Sequence, residues 1–129
     1  MLGSFTGTFK FGRRRRISLL PAGYVTIAGL TIAPMTTGGT YAQSQAFCAA
    51  FTGLGFAAGT WRAATIAEII SIATVLSWSD SKSIYGWAYS SHPFNIWSSE
   101  SGQIINFNTA DPAGTSNTNM FNILCVKAA

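Results

Sequence analysis

Thr60-Trp61-Arg62-Ala63-Ala64-Thr65-Ile66-Ala67-Glu68-Ile69-Ile70 decides how the chain is read. Thr65 and Glu68 have the Thr-x-x-Glu spacing of a capping box. The threonine hydroxyl accepts from the backbone N–H three residues on, and the glutamate reaches back to the N–H of the capping residue. A helix is therefore predicted from Ile66 to about Leu76. Ile66, Ile69, Ile70, Ala73 and Leu76 would form its apolar face at helical spacing. Trp61, beside Arg62, is placed to cover the base of this helix as a large apolar plug whose indole N–H needs one partner. Read alone, the stretch is an ordinary capped helix, and its neighbours decide what it belongs to.

Upstream, Thr40-Tyr41-Ala42-Gln43 is a second capping box, Thr-x-x-Gln. It predicts a helix over 41–51 with Ala42, Ala46, Phe47, Ala49, Ala50 and Phe51 as its apolar stripe, closed by Gly53 and Gly55. Thr36–Gly39 before it reads as a loop. Earlier still, residues 1–28 read as an extended arm. Phe5, Phe9 and Phe11 fall on one face of a strand, with Thr6, Thr8 and Lys10 on the other. Short strands follow at Ile17–Leu20, Tyr24–Ala28 and Leu30–Ala33, with a turn at Pro21–Gly23. Such an arm either docks on another subunit or completes the domain's own sheet. Downstream, residues 77–122 are rich in Ser, Asn, Thr and Gly and show no helical period. Short strands fit Tyr85–Tyr89, Ile96–Ser98, Gln103–Phe107 and Phe121–Lys127. Helices and strands in separate runs imply an α+β fold with two helices, a small antiparallel sheet and a long loop-rich region.

Composition narrows the class. A chain of 129 residues that is 48% apolar and only 9% charged is not a disordered segment, and it suggests one domain. Its surface must be built from Ser, Thr, Asn, Gln and Gly, as is common in extracellular and virion proteins. The net charge of +4 comes from Arg13, Arg14, Arg15 and Arg16. Without them Lys10, Arg62, Lys82 and Lys127 balance Glu68, Asp80, Glu100 and Asp111. The basic knot reads as a solvated turn or as a contact for nucleic acid, acidic lipid or an acidic subunit patch. Nucleic-acid binding is the weaker of the function classes. The knot precedes an apolar run that resembles a leader, with Thr40-Tyr41-Ala42 as a weak cleavage site. Pro21, Gly23 and Gly29 interrupt that run, so the segment is expected to stay in the mature chain, with no transmembrane segment.

Cys48 and Cys125 are either two buried thiols or a pair closing most of the domain into one loop. No CxxC or His-rich cluster points to zinc. His92 is the chain's one histidine. A Ser–His–Asp arrangement from His92 and Asp80 or Asp111 has no nucleophile motif around any serine, and Glu68 is accounted for by capping. The expectation is no catalytic residue, no cofactor and no metal. The aromatic and polar stretch from Trp78 to Asn95 is the candidate binding surface. Flat aromatic faces suit sugar rings or protein contacts, and Ser and Asn supply adaptable hydrogen bonds. Trp78, Tyr85, Tyr89, His92 and Asn95 are the ligand-binding candidates, with Asn106–Asn122 as a neighbouring rim. The competing reading packs such aromatics in the core, above all Trp87 and Phe94.

The run Gly29-Leu30-Thr31-Ile32, Tyr41-Ala42…Phe47-Cys48, Trp61-Arg62-Ala63-Ala64-Thr65…Glu68-Ile69, Ile96-Trp97-Ser98-Ser99, Ile105-Asn106-Phe107 and Leu124-Cys125-Val126-Lys127 resembles the C-type-lectin-like domain of the Lcl C-terminal (DUF1566) type over about residues 29–127. Ala63-Ala64 stands where Leu-Pro is usual, Ile96 where Tyr is usual, and Lys127 where Arg is usual. The resemblance implies a C-type-lectin-like fold at 29–129 behind an arm at 1–28. It also implies a Cys48–Cys125 bridge and core roles for Trp61 and Trp97. The calcium motifs of animal lectins are absent and the four acids are scattered. Members of such a family are binding modules of phage fibres and bacterial adhesins. The expectation is thus a non-enzymatic module on a virion surface, a receptor-binding fibre tip or a capsid decoration protein. Its arm (Phe5, Phe9, Phe11, Arg13–Arg16) would engage other subunits in a homo-oligomer, and its loop surface a host glycan or protein. The alternative is a secreted or pilus-associated adhesin at the bacterial cell surface.

Overall fold

Both threonine caps start helices. A computed structural model describes residues 18–83, 86–87 and 94–129. Helix α1 runs Tyr41–Ala50 from the N-cap Thr40, and helix α2 runs Ile66–Val75 from the N-cap Thr65. In α1 the Gln43 N–H donates to Thr40 Oγ1 and Gln43 Oε1 accepts from the Thr40 N–H, and Thr65 and Glu68 make the same pair of bonds in α2. A third helix, α3 at Trp78–Ser83, departs from the expected absence of helix beyond residue 77. Its apolar content is too low to show a period, but Ser77 Oγ accepts from the Asp80 N–H at its start.

Two five-stranded sheets hold these helices, where one small sheet was expected. The first comprises β1 (Ser18–Leu19), β2 (Val25–Ile27), β3 (Leu30–Ile32), β5 (Arg62–Ala63) and β10 (Cys125–Ala128), in the order β1-β2-β3-β10-β5, antiparallel throughout. The second comprises β4 (Thr36–Gly39), β6 (Asn95–Trp97), β7 (Gln103–Asn106), β8 (Asp111–Gly114) and β9 (Phe121–Ile123), in the order β4-β9-β6-β7-β8. Only β6 and β9 pair parallel, with Ile96 beside Asn122. The mixed α+β class stands.

Four expectations are corrected. Thr36–Gly39 is an edge strand with an irregular register against β9, not a loop. The single strand expected over 121–127 is two, because the chain passes from one sheet to the other at buried Leu124. Gly86 and Trp87 are not in a strand, and the rest of 85–89 lies outside the described residues. The boundary drawn at residue 28 falls inside the first sheet: β2 and β3 form a hairpin through Ala28 and Gly29, both at positive φ, as a two-residue primed turn requires. Val25 and Ile27 are fully buried, so residues 18–28 complete the domain's own sheet. Phe5, Phe9, Phe11 and Arg13–Arg16 lie outside the described residues.

The core divides in three. The largest part sets Ile69 and Ile72 of α2, with Leu76 just past its end, against Val25, Ile27, Ile32, Ile96, Ile105 and Val126 of the two sheets and Leu124 between them. Each fully buried isoleucine contributes about 1.5–3 kcal/mol. The second part surrounds Cys48 and Cys125, which form a disulfide with Cα atoms 5.4 Å apart, backed by Trp61 and Ala63. The third is Trp97 with Ile104 and Phe121.

Helix α1 is the largest departure from expectation. Its stripe of Ala42, Ala46, Phe47, Ala49 and Ala50 is exposed, and the residues it buries are Ser44 and Cys48. The disulfide turns Cys48 inward and sets the orientation. The apolar stripe lies mostly on the other side, and only Phe51 at its end packs against the core, edge-on to Trp61.

Candidate functional site

Trp97 anchors the face that the second sheet presents. Its indole N–H donates to the Gly39 carbonyl at 2.8 Å, and its ring meets Tyr41 and Phe121 edge-on at 5.5 and 5.3 Å. Trp61 and Trp87 follow the same rule, donating to the carbonyls of Gly53 (3.1 Å) and Gly23 (2.9 Å). Space at Gly53 is tight. A Cβ there would collide with the Phe51 ring and the Tyr24 hydroxyl. Trp61 is buried with its N–H satisfied by one partner, but its ring packs with Tyr24, Phe51 and the Cys48–Cys125 bridge, in a different part of the core from α2; Trp97 is buried as well.

From this aromatic base rise two connections, Ser98–Gly102 between β6 and β7 and Thr115–Met120 between β8 and β9. The Tyr41 hydroxyl donates to the Ser99 carbonyl at 2.7 Å, and the Tyr41 backbone N–H donates to the Asn117 carbonyl at 3.1 Å. Asn117 joins the two connections: its Oδ1 accepts from the Gly102 N–H at 2.7 Å and its Nδ2 donates to Ser101 Oγ at 2.8 Å. Thr115 N–H donates to the Gly102 carbonyl, and Asn119 Nδ2 donates to Thr115 Oγ1. Local Ser, Thr and Asn bonds of this kind stabilise turns where a strand ladder cannot continue. The outcome is an exposed polar face of Glu100, Ser101, Ser116, Asn117, Thr118 and Asn119, with Met120 at its edge.

Beside it lies the start of α2. Glu100 Oε1 accepts from the Ile66 N–H at 3.2 Å. Arg62 donates to both carboxylate oxygens of Glu68 at 2.7 and 2.6 Å, while Glu68 also caps the helix. The Arg62 guanidinium, with help from the Thr65 N–H, holds the Glu68 carboxyl down at about 2 against an ordinary 4.5. This ion pair supports the helix entry and leaves Glu68 committed. A shallow groove lined by Ala28, Leu30, Ala67, Glu68 and Ser71 has no other ionic group.

Of the expected ligand contacts, Trp78 lies on α3, and Tyr85, Tyr89 and His92 lie outside the described residues. Asn95 is half-buried on β6, and its carbonyl accepts from Asn122 Nδ2 at 3.1 Å. Trp87 is buried and Phe94 is exposed. The expected Asn106–Asn122 rim is split. Asn122 is fully buried, and Asn106 Oδ1 accepts from the Asn108 and Thr109 N–H groups to turn the chain toward β8. Asn117 and Asn119 do reach the exposed face. Serine and asparagine enrichment pointed to that region, but the pairing of Ser101 with Asn117 across fifteen residues has no local signature.

Among the described residues, no three His, Cys, Asp or Glu side chains gather as a metal site would require, and no helix is long and apolar enough to cross a membrane. The chain was compared with known proteins at three levels: no family model matches it, and no curated protein or solved structure matches it either.

Proposed function

We propose that the chain is a non-enzymatic binding or structural module of a virion surface, a C-type-lectin-like receptor-binding fibre tip or capsid decoration protein. The observation that carries this reading is the polar face of Ser101, Asn117 and Asn119, set by hydrogen bonds on the Trp97 base. It offers neutral donors and acceptors on a rigid support, which suits glycan or protein recognition. The segment before Ser18, with Phe5, Phe9, Phe11 and Arg13–Arg16, serves in this reading as the attachment to neighbouring subunits.

The test is binding of the labelled full chain to a panel of bacterial cells, beside a chain starting at Ser18. A start at residue 29 would remove a core strand, since β2 buries Val25 and Ile27. Binding retained by the shorter chain and lost with Asn117→Ala identifies the polar face as receptor-binding. Binding by neither chain leaves decoration, with the first seventeen residues as the working part. Salt-sensitive binding to nucleic acid through Arg13–Arg16 would overturn both.

The disulfide favours a second reading, a secreted or pilus-associated adhesin, because such bonds persist in oxidising compartments. Cleavage near Gln43 would remove all of β1–β4, including the core residues Val25, Ile27, Ile32 and Met35. A mature N-terminus there in the native source would therefore require another fold.

A further inference from the structure

The first turns of α1 fasten the polar face to the body of the molecule. The Tyr41 hydroxyl donates to the Ser99 carbonyl at 2.7 Å, and Gln45 Nε2 donates to the Ser98 carbonyl at 3.1 Å. Both carbonyls belong to the connection between β6 and β7. The Tyr41 N–H is one of the donors that a helix start leaves without an intrahelical partner, and it goes to the Asn117 carbonyl in the other connection. Buried Ser44 fixes the Gln45 amide. Its Oγ donates to the Tyr41 carbonyl at 2.7 Å and accepts from Gln45 Nε2 at 2.9 Å. Asn117 ties the two connections to each other, and α1 ties both to the body.

Helix α1 is itself held mainly by the disulfide. Its ten residues are fewer than an isolated helix needs in water. It buries Ser44 and Cys48, whereas α2 buries Ile69 and Ile72. Phe51, past its last turn, meets Trp61. Cys48 lies within about two turns of Tyr41 and Gln45, on the same short rod.

We propose that the Cys48–Cys125 bond governs the polar face: the face is set in the oxidised chain and released in the reduced one, with Tyr41 and Gln45 as the positioning residues that transmit the change. The proposal rests on reading that face as the binding surface, and it names how the surface is regulated. A dithiol reductant supplies two electrons and two protons. The sulfur–sulfur bond breaks through a mixed disulfide, Cys48 and Cys125 become thiols, and the dithiol leaves as a cyclic disulfide. Released at Cys48, α1 no longer presses Tyr41 and Gln45 against the two connections. Ser101, Asn117 and Asn119 lose their fixed placement, and a ligand must then order them as it binds, which lowers affinity. Helix α2 keeps its buried isoleucines and stays in place. A face built this way is complete only in an oxidising compartment.

Amide exchange of the full chain, oxidised and after dithiothreitol, tests this without any ligand. The Gly102 and Thr115 N–H groups, donating to Asn117 Oδ1 and the Gly102 carbonyl, report the face. The Ile69 and Leu76 N–H groups, donating to the Thr65 and Ile72 carbonyls, report α2. Reduction should speed exchange at Gly102 and Thr115 by at least ~10-fold relative to Ile69 and Leu76. An equal acceleration that includes α2 overturns the proposal, because the bond then holds the whole fold. Faster exchange confined to α1 overturns it too. Tyr41→Phe with Gln45→Ala keeps the bond and removes the side-chain contacts. In the oxidised double variant the same selective rise is expected, and unchanged exchange at Gly102 and Thr115 overturns the proposal. Binding of the labelled chain to the panel of bacterial cells separates the proposal from the reading beneath it. Cells bound by the oxidised chain and released on reduction support both. Equal binding by the two forms overturns the proposal and leaves the receptor reading standing. Selective exchange with no cell bound strikes the receptor reading, while redox control of the face stands.

Discussion

Helices α1 and α2 have the same length and the same opening device, yet they are held in opposite ways. Both are ten residues long and start from a threonine capping box. Helix α2 is fixed by what it buries, Ile69 and Ile72 with Leu76 beyond its end. Helix α1 buries one serine and one half-cystine, and faces its alanines and Phe47 outward. Packing positions α2, and a covalent bond positions α1. An apolar stripe at helical spacing identifies a helix, but it does not by itself identify the buried side.

This contrast can be broken at several points. The largest effect should come from Cys48→Ala with Cys125→Ala. Opening a closed span of 77 residues removes roughly 4–5 kcal/mol in the chain-entropy model. Amide exchange should show α1 released before α2, and urea denaturation measures the total. Next, Ile72→Ala in α2 should cost about 2–5 kcal/mol through a core cavity. Thermal unfolding would show that loss shared by both sheets, because Ile72 packs in the core that joins them.

The caps give smaller and more equal effects. Thr40→Ala and Thr65→Ala should each cost about 1 kcal/mol in equilibrium unfolding. Acid should separate them. The box of α1 closes with neutral Gln43 and that of α2 with Glu68. The Glu68 carboxyl is held at about 2 in the fold against an ordinary 4.5. Its contribution is therefore complete above pH 4.5 and disappears as the pH falls toward 2. Arg62 is half-exposed, so solvent screening limits the loss to on the order of 1 kcal/mol. Stability measured across this window should slope less in Glu68→Gln, while Gln43→Ala should leave the slope unchanged. The smallest effect belongs to Phe47→Ser. Measured on dilute protein, it should stay within about 0.5 kcal/mol, as expected of an exposed side chain.

The parts of the fold that were legible in the sequence are those set by neighbours in the chain. Thr40 with Gln43 and Thr65 with Glu68 specify helix starts within one turn, and β7 is equally local. What was illegible depends on distant partners. Gly38 and Gly39 made β4 read as a loop, and only pairing with β9 makes it a strand. Asp111–Gly114 is exposed at every position and shows no alternation, so nothing marked β8. Six residues of α3 are too few and too polar for a period, although Ser77 and Asp80 carry a cap. In the candidate site, composition pointed to the polar loops, while Asn122 was placed on the rim because a buried asparagine and an exposed one look alike in a sequence. The exposure of Phe47 depends on its neighbour Cys48 being bridged to Cys125, 77 positions further along the chain.

The Cys48–Cys125 bond also sets how the molecule would respond to load. Tension applied at the two ends passes along the chain to Cys48, crosses the sulfur–sulfur bond and leaves through Cys125–Ala129. The span between the two cysteines, which are 77 positions apart, lies outside that path. At about 3.6 Å per extended residue, roughly 270 Å of contour is withheld from stretching. Both helices' C-terminal ends and the entire polar face lie within the withheld span. A tethered copy dragged by flow would lengthen only through its first strands and its last few residues, while Ser101, Asn117 and Asn119 remained inside an unbroken ring.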